Sequence, residues 1–190
     1  MISSRQTVWL ILIGSLAFIG LFALSLIRSE QTEFSVLQSA APAGATAANF
    51  EGVMIGGSET SAKEENFFSS DSLTDKYVLI SFRASWCAPC KREAVFMESL
   101  YEEYKAQNVE FLAINIWEPE SDARNFAEEY PVSFPVILDA KRRIHIDYGI
   151  RGLPTMLLLS PDLRIFKRYD GELSENNLKE LLDLLVNSDG

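Results

Sequence analysis

The only two cysteines of the chain, Cys87 and Cys90, stand two residues apart just after an apolar run, Tyr77-Val78-Leu79-Ile80-Ser81-Phe82. That run is short and rich in strand formers, which suits a strand buried on both faces. After Cys87 the period changes. Ala94, Met97, Leu100 or Tyr101, and Tyr104 recur at helical spacing. The pair therefore marks a junction between a buried strand and a helix, and any fold for this chain must keep that order. A stabilising disulfide acts by closing a long loop, and this pair closes almost none. A closed zinc site takes four ligands, and the single histidine, His145, lies more than fifty residues away. Redox chemistry is the best use of such a pair, with a metal half-site or inert thiols as the alternatives.

The rest of the chain alternates strands and helices. Phe50 to Ile55 reads as a short strand closed by Gly56-Gly57, and Ser58 to Asp75 as loop with a short helical turn. Val109 to Ile116 is a second buried strand. Ser121 is the expected N-cap of the next helix, whose inward face is Ala123, Phe126, Ala127 and Tyr130, and Pro131 stops it. Val136-Ile137-Leu138 is a short strand, and Ile144 to Tyr148 a short helix ended by Gly149. Met156 to Leu159 turns at Pro161-Asp162 into a returning strand through Ile165, Lys167 and Tyr169. A last helix runs from about Ser174, with Leu178, Leu181, Leu182 and Leu185 on one face. This order predicts an α/β fold, with a mixed central sheet flanked by helices and a hairpin as its antiparallel edge.

From Val8 to Ile27 twenty residues carry no charge. At about 1.5 Å per residue they span a hydrocarbon core of about 30 Å. A cleaved signal usually has an apolar stretch of only about 7–15 residues, so residues 1–27 read as a signal anchor with its span at 8–27. Residues 28–47 follow the span; Ser39 to Ala47 are small and breaker-rich, so the segment reads as a flexible linker, and residues 48–190 as the globular domain. Arg5 and Arg28 flank the span almost evenly. A single N-terminal span before a large domain gives N-inside, C-outside as the default. The expected location is the cytoplasmic membrane with the cysteines on the extracytoplasmic (periplasmic) side, where disulfides form. The formal charge of −10 excludes a basic nucleic-acid footprint.

The attacking species in thiol exchange is a thiolate. At a helix start, backbone amides and the helix dipole favour negative charge, so Cys87 is the expected nucleophile. Cys90, one turn in, is shielded and placed to resolve a mixed disulfide. Pro89 fits the first helical turn, where no donor is needed.

Trp86-Cys87-Ala88-Pro89-Cys90-Lys91 resembles the thioredoxin active-site motif. With the apolar N-terminal run, Asn115-Ile116-Trp117-Glu118 and Gly152-Leu153-Pro154-Thr155, the chain resembles the TlpA/ResA-like membrane-anchored thioredoxins. The resemblance implies a thioredoxin fold and a protein thiol-disulfide oxidoreductase. It implies a nucleophilic Cys87, a resolving Cys90 and a cis Pro154 facing the disulfide. It puts Glu118 near the disulfide, where a carboxylate shifts thiol pKa values and passes protons. Trp86, Ala88, Pro89, Leu153 and Thr155 are the expected substrate contacts. The resemblance implies no cofactor beyond the Cys87–Cys90 redox couple. Its implied partners are disulfide-bearing proteins, with oxidised apocytochrome c as a candidate, and a membrane thiol-disulfide electron donor.

There are departures from that pattern. Ser81 stands where thioredoxin has a buried aspartate. Arg83 replaces a residue that is usually aromatic, and reads either as a cation near Cys87 or as a surface residue. Val95 replaces a helix-kinking proline, so a straighter helix is expected. His145, Lys91 and Arg92 read as ordinary polar positions. Ala88-Pro89 is closer to the Gly-Pro of reductants than to oxidant patterns. An oxidant or isomerase for secreted proteins, and a redox-inactive thioredoxin-like binding module, are the competing functions. The Thr-X-X-Cys pattern of a peroxidase is absent.

Overall fold

The computed structural model describes Ser15, residues 44–57 and residues 67–187. Apart from Ser15, the expected membrane span at 8–27 lies outside the described residues, as do positions 28–43 of the expected linker. No helix among the described residues is long and apolar enough to cross a membrane.

The apolar run before the cysteines forms β3 (Tyr77–Arg83), and all of it but Tyr77 is buried. It pairs parallel with β4 (Val109–Asn115), in register from Tyr77↔Val109 to Arg83↔Asn115. On its other side it pairs antiparallel with β6 (Thr155–Leu159). β7 (Ile165–Asp170) closes that edge as the expected hairpin partner. β5 (Val136–Leu138) lies parallel to β4. β1 (Glu51–Gly56) and β2 (Phe67–Ser69) extend the far edge antiparallel, giving the order β2-β1-β5-β4-β3-β6-β7. The mixed sheet flanked by helices is the fold expected of the sequence. β2 corrects the reading of Ser58 to Asp75 as loop and turn alone. Three residues are too few to show a period-2 pattern, and only pairing with β1 (Gly52↔Phe68) defines the strand. A 3-10 turn, Ser70–Leu73, does follow it.

Alternation along the strands divides the core. Leu79, Phe111 and Ala113 pack with residues of α1 (Ala88–Tyr104), α2 (Glu120–Glu129) and α4 (Glu175–Val186). Val78, Ile80, Phe82, Leu112 and Ile114 pack with Phe50, Tyr148 and Ile144 of the short α3 (Ile144–Asp147). Each fully buried side chain of this size stabilises the fold by about 1.5–3 kcal/mol. α1 runs unbroken across Val95, whose side chain is exposed.

Two boundaries differ from expectation. α2 is capped by Pro119, not Ser121, and starts at Glu120. Pro119, at φ −65° and ψ 152°, already ends the extended chain, and Glu120 and Asp122 put acidic groups on the helix's positive end. Ser121 Oγ instead donates to Asp122 Oδ1 at 3.2 Å. The described end of the expected linker is also docked on the domain. Gly44 N–H donates to Ile165 O at 2.9 Å, Ala47 N–H to Leu163 O at 2.8 Å, and Thr46 bridges Arg164. The packed unit thus begins before residue 48. By contrast α4 starts as expected, with Ser174 Oγ accepting the Asn177 N–H at 3.3 Å.

The turn after β1 gives a test of this packing. Gly57 has φ +97°, and a Cβ there would lie 2.3 Å from Phe134 O. Gly57→Ala is expected to lower stability by roughly 2 kcal/mol or more, seen as an earlier urea midpoint. Gly152→Ala, with nothing within 4 Å of the new Cβ, should stay within about 0.5 kcal/mol of the parent.

Candidate active site

β3 ends at Arg83 and α1 opens at Ala88, so four residues carry the chain from sheet to helix. Cys87 N–H donates to Ala84 O at 3.1 Å and closes the turn. Cys87 is the N-cap of α1, with an extended backbone, and its Sγ accepts the Cys90 N–H at 3.3 Å. The sulfur thus occupies the place of a capping oxygen. Pro89 sits in the first turn, where its missing donor costs nothing. Cys87 and Cys90 form a disulfide with Cα atoms 5.3 Å apart. Only 4% of Cys87 and 2% of Cys90 are exposed, because Ala84 and Leu153 pack against them. Trp86 beside them is 60% exposed, Ala88 is exposed and Pro89 half-buried.

Leu153 belongs to a second loop at the same place. The Leu153–Pro154 bond is cis, and Pro154 is buried. Thr155 is fully buried, with Oγ1 3.0 Å from Gly152 O and 2.8 Å from Asp170 Oδ1. Arg168 holds that carboxylate, with Nη2 2.8 Å from Oδ1, and also donates to Tyr148 O and Gly149 O. The hydroxyl of Thr155 therefore ties the proline loop to β7 instead of lying on the surface as a substrate contact.

Glu118 follows β4 and reaches back to the cysteine turn. Its Oε2 accepts the Ser85 N–H at 2.8 Å and the Ser85 hydroxyl, and its Oε1 accepts from Asn115 Nδ2 at 2.6 Å. Asn115 Oδ1 in turn accepts the Arg83 Nε–H at 3.1 Å. Hydrogen bonds to a charged group contribute about 1.5–3 kcal/mol each, so Glu118 braces the segment two residues ahead of Cys87.

Arg83 is not a surface residue: it is 3% exposed. Its guanidinium lies 4.8 Å over the Phe126 ring, and Nη2 has no hydrogen-bond partner among the described residues. Burial lowers its pKa to about 10, with nearby Glu118 opposing, so it remains a cation at neutral pH. Lys91 and Arg92 are as expected, in surface ion pairs with Glu129 and Glu172. His145 is less ordinary. Its Nδ1 lies 2.7 Å from Asp139 Oδ2, and its ring meets Trp117 edge-on at 5.5 Å.

Glu93 was not among the expected site residues. It sits three residues beyond Cys90 on α1, almost fully buried, and accepts the Leu173 N–H at 2.8 Å. Burial pushes its carboxyl up from 4.5 to about 7; the Leu173 hydrogen bond opposes this, Glu172 adds to it and Arg92 opposes it. The sequence did carry a signal. Cys90, Ala94 and Met97 define the buried stripe of α1, and Glu93 falls on it. A carboxyl that titrates near neutrality one helical turn along from Cys90 is suited to proton exchange.

Glu93 also makes stability depend on pH. Between about 4.5 and 7 the folded state holds a proton that the unfolded state has lost, so stability falls as pH rises through that window. Glu93→Gln should remove this slope. Urea titration of the oxidised protein should find the variant more stable than the parent at pH 8, by up to ~3 kcal/mol, and without that gain at pH 4.5.

Comparison with known proteins agrees with this geometry. The AhpC/TSA family model matches residues 43–168. Thiol-disulfide oxidoreductase ResA of Halalkalibacterium halodurans is 32% identical over 181 residues, covering 95% of this chain and 96% of that protein. ResA of Bacillus subtilis is 34% identical over 113 residues, covering 60% of this chain and 63% of that protein. Among solved structures, the thioredoxin domain of a thiol-disulfide oxidoreductase from Bacteroides vulgatus superposes with a TM-score of 0.66 at 22% identity. It covers 78% of this chain and 100% of that domain, and shares the fold. With its capped cysteine pair and cis-proline loop, the chain belongs to the AhpC/TSA family, and within it to the ResA-type thiol-disulfide oxidoreductases.

Proposed function

We propose that this oxidoreductase works as a reductant of protein disulfides on the outer side of the cytoplasmic membrane, held there by residues 8–27. The observation that carries the reading is Cys87 Sγ at the α1 N-cap, accepting the Cys90 N–H. The same amide and helix end favour a thiolate there once the pair is reduced. The Cys87 thiolate attacks one sulfur of a substrate disulfide. That bond breaks, a mixed disulfide forms, and the departing sulfur takes up a proton. Cys90 then loses its proton and attacks Cys87 Sγ. The Cys87–Cys90 disulfide closes and the substrate leaves as a dithiol. Two electrons from a membrane thiol-disulfide donor restore the reduced pair. The resemblance to ResA-like proteins makes the oxidised cysteine pair of apocytochrome c the candidate substrate.

The surrounding residues fit separate parts of this cycle. Trp86, Ala88, Pro89 and Leu153 form the rim that a substrate meets, and cis-Pro154 with Thr155 holds the facing loop. Glu93, one helical turn from Cys90, is the group suited to exchange the Cys90 proton. Glu118 adds negative charge beside the Cys87 turn, which disfavours the thiolate and lowers the potential. Ala88-Pro89 also agrees with a reductant. Arg83 favours a second reading, an oxidant or isomerase, because a buried cation near the turn stabilises the thiolate and so the reduced form.

Redox equilibration decides between these readings. A potential near the thioredoxin range, roughly −270 mV, fits the reductant, and one near −120 mV would replace it with the oxidant. Cys90→Ala should accumulate mixed disulfides on Cys87, whereas trapping by Cys87→Ala would reverse the two roles. Glu118→Gln should move the pH profile of Cys87 alkylation to lower pH while the fold persists; an unchanged profile would leave Glu118 as a brace only. Resistance to alkaline carbonate extraction, with a mature N-terminus at or near Met1, tests the anchor. A terminus near Glu30 or Pro42 would show a cleaved signal.

A further inference from the structure

Three aromatic side chains are exposed among the described residues: Phe67, Trp86 and Trp117. Trp86 adjoins Cys87. Trp117 is 31 residues from Trp86 in sequence but is laced to the same turn. On one side of it, Ile116 N–H donates to Arg83 O at 3.0 Å. On the other, Glu118 accepts the Ser85 N–H at 2.8 Å. Trp117 thus stands on a turn fastened at both ends to the segment that leads into Trp86 and Cys87.

Trp117 has φ +58°, in the left-handed region, which is unfavourable for a bulky side chain. The backbone is strained and yet the indole remains 37% exposed. What supports it from below is rigid. The His145 ring meets the indole edge-on at 5.5 Å and 81°. His145 Nδ1 is fixed by Asp139 Oδ2 at 2.7 Å, and the Asp139 carboxylate also accepts the backbone N–H groups of Arg143, Ile144 and His145. Burial pushes the Asp139 carboxyl up, but the hydrogen bond to the His145 ring and those from the three amides outweigh it and hold the group below its ordinary value, so the pedestal stays charged. A strained residue held in an exposed position by its surroundings is a mark of a functional surface.

We propose that Trp117, on its His145–Asp139 pedestal, is a specificity-determining residue. It forms with Trp86 an aromatic platform beside Cys87 and selects disulfides flanked by an aromatic or large apolar side chain. The indole face takes the flanking side chain while Cys87 attacks the adjacent sulfur. Capture begins with attack of the Cys87 thiolate on the substrate disulfide. The substrate S–S bond breaks, the mixed disulfide forms, and the released thiolate takes a proton from solvent.

The inference rests on Cys87 as the attacking thiol and is tested in the detergent-solubilised full chain carrying Cys90→Ala. Two short peptides with an internal disulfide serve as probes, one with phenylalanine beside the attacked cysteine and the same peptide with serine there. Capture of the serine peptide tests Cys87 alone; the ratio of the two rate constants tests Trp117. The parent should prefer the phenylalanine peptide by about five- to tenfold. Trp117→Ala should bring that ratio down at least threefold, and Trp117→Phe should keep most of it. His145→Ala, which removes the pedestal and leaves the indole, should move the ratio the same way as Trp117→Ala. A parent without preference overturns the proposal. So does a Trp117→Ala ratio within threefold of the parent, whether neither rate moves or both fall together. An unmoved ratio in His145→Ala overturns the pedestal.

Discussion

The sulfur of Cys87 caps a helix, and the site is arranged around that one contact. By accepting the Cys90 N–H at 3.3 Å it fixes where α1 begins. It thereby fixes the distance between the two cysteines and the orientation of the buried stripe that carries Cys90, Glu93, Ala94 and Met97. The same amide that satisfies the sulfur in the oxidised chain favours a negative sulfur after reduction. Structure and reactivity therefore draw on one donor. Moving the helix start by one residue would turn Cys90 off its face and separate the pair.

The turn before Cys87 has few apolar contacts of its own to hold it. Ser85 is held by Glu118, Glu118 by Asn115, and Asn115 by Arg83, a chain of polar groups across the ends of β3 and β4. Parallel pairing makes this possible, because it brings Arg83 opposite Asn115 and sends both strands out at the same end of the sheet. Burying a guanidinium with one nitrogen unpaired is unfavourable. The Phe126 face and the charge of Glu118 offset part of that cost. The outcome is a rigid loop beside the disulfide with charges of both signs close by, which is how a common fold sets an individual redox poise.

Much of this was legible in the residues. The β3 run, the helical period of α1, the hairpin at Pro161-Asp162 and the leucine face of α4 each have enough length for periodicity to speak. Cys87, Cys90 and Pro154 announced themselves by type and position. What escaped was short or relational. β2 has three residues and exists through its pairing with β1. Residues 44–47 look like linker by composition, but they bond to the β6–β7 turn. α2 starts at Glu120, two residues earlier than a Ser121 cap would give, which leaves the Ser121 hydroxyl inside the first turn.

By itself the sequence determined the order of elements, the redox pair at a strand-to-helix junction and the kind of chemistry such a pair performs. These follow from local rules: residue period, turn preference and the placing of sulfur near helix amides. Only the tertiary structure decided which charges surround the pair. Arg83 is an ordinary surface type in a sequence and Glu93 shows there only as an acid on the apolar stripe of α1; burial between sheet and helices is what makes one a fixed cation and the other a carboxyl that titrates near neutrality. Trp117 and His145, far apart in the chain, became neighbours only when β4 and β5 paired in parallel and delivered their loops to one end of the sheet. Desolvation and long-range contact depend on what lies across the fold, and no local pattern carries that information.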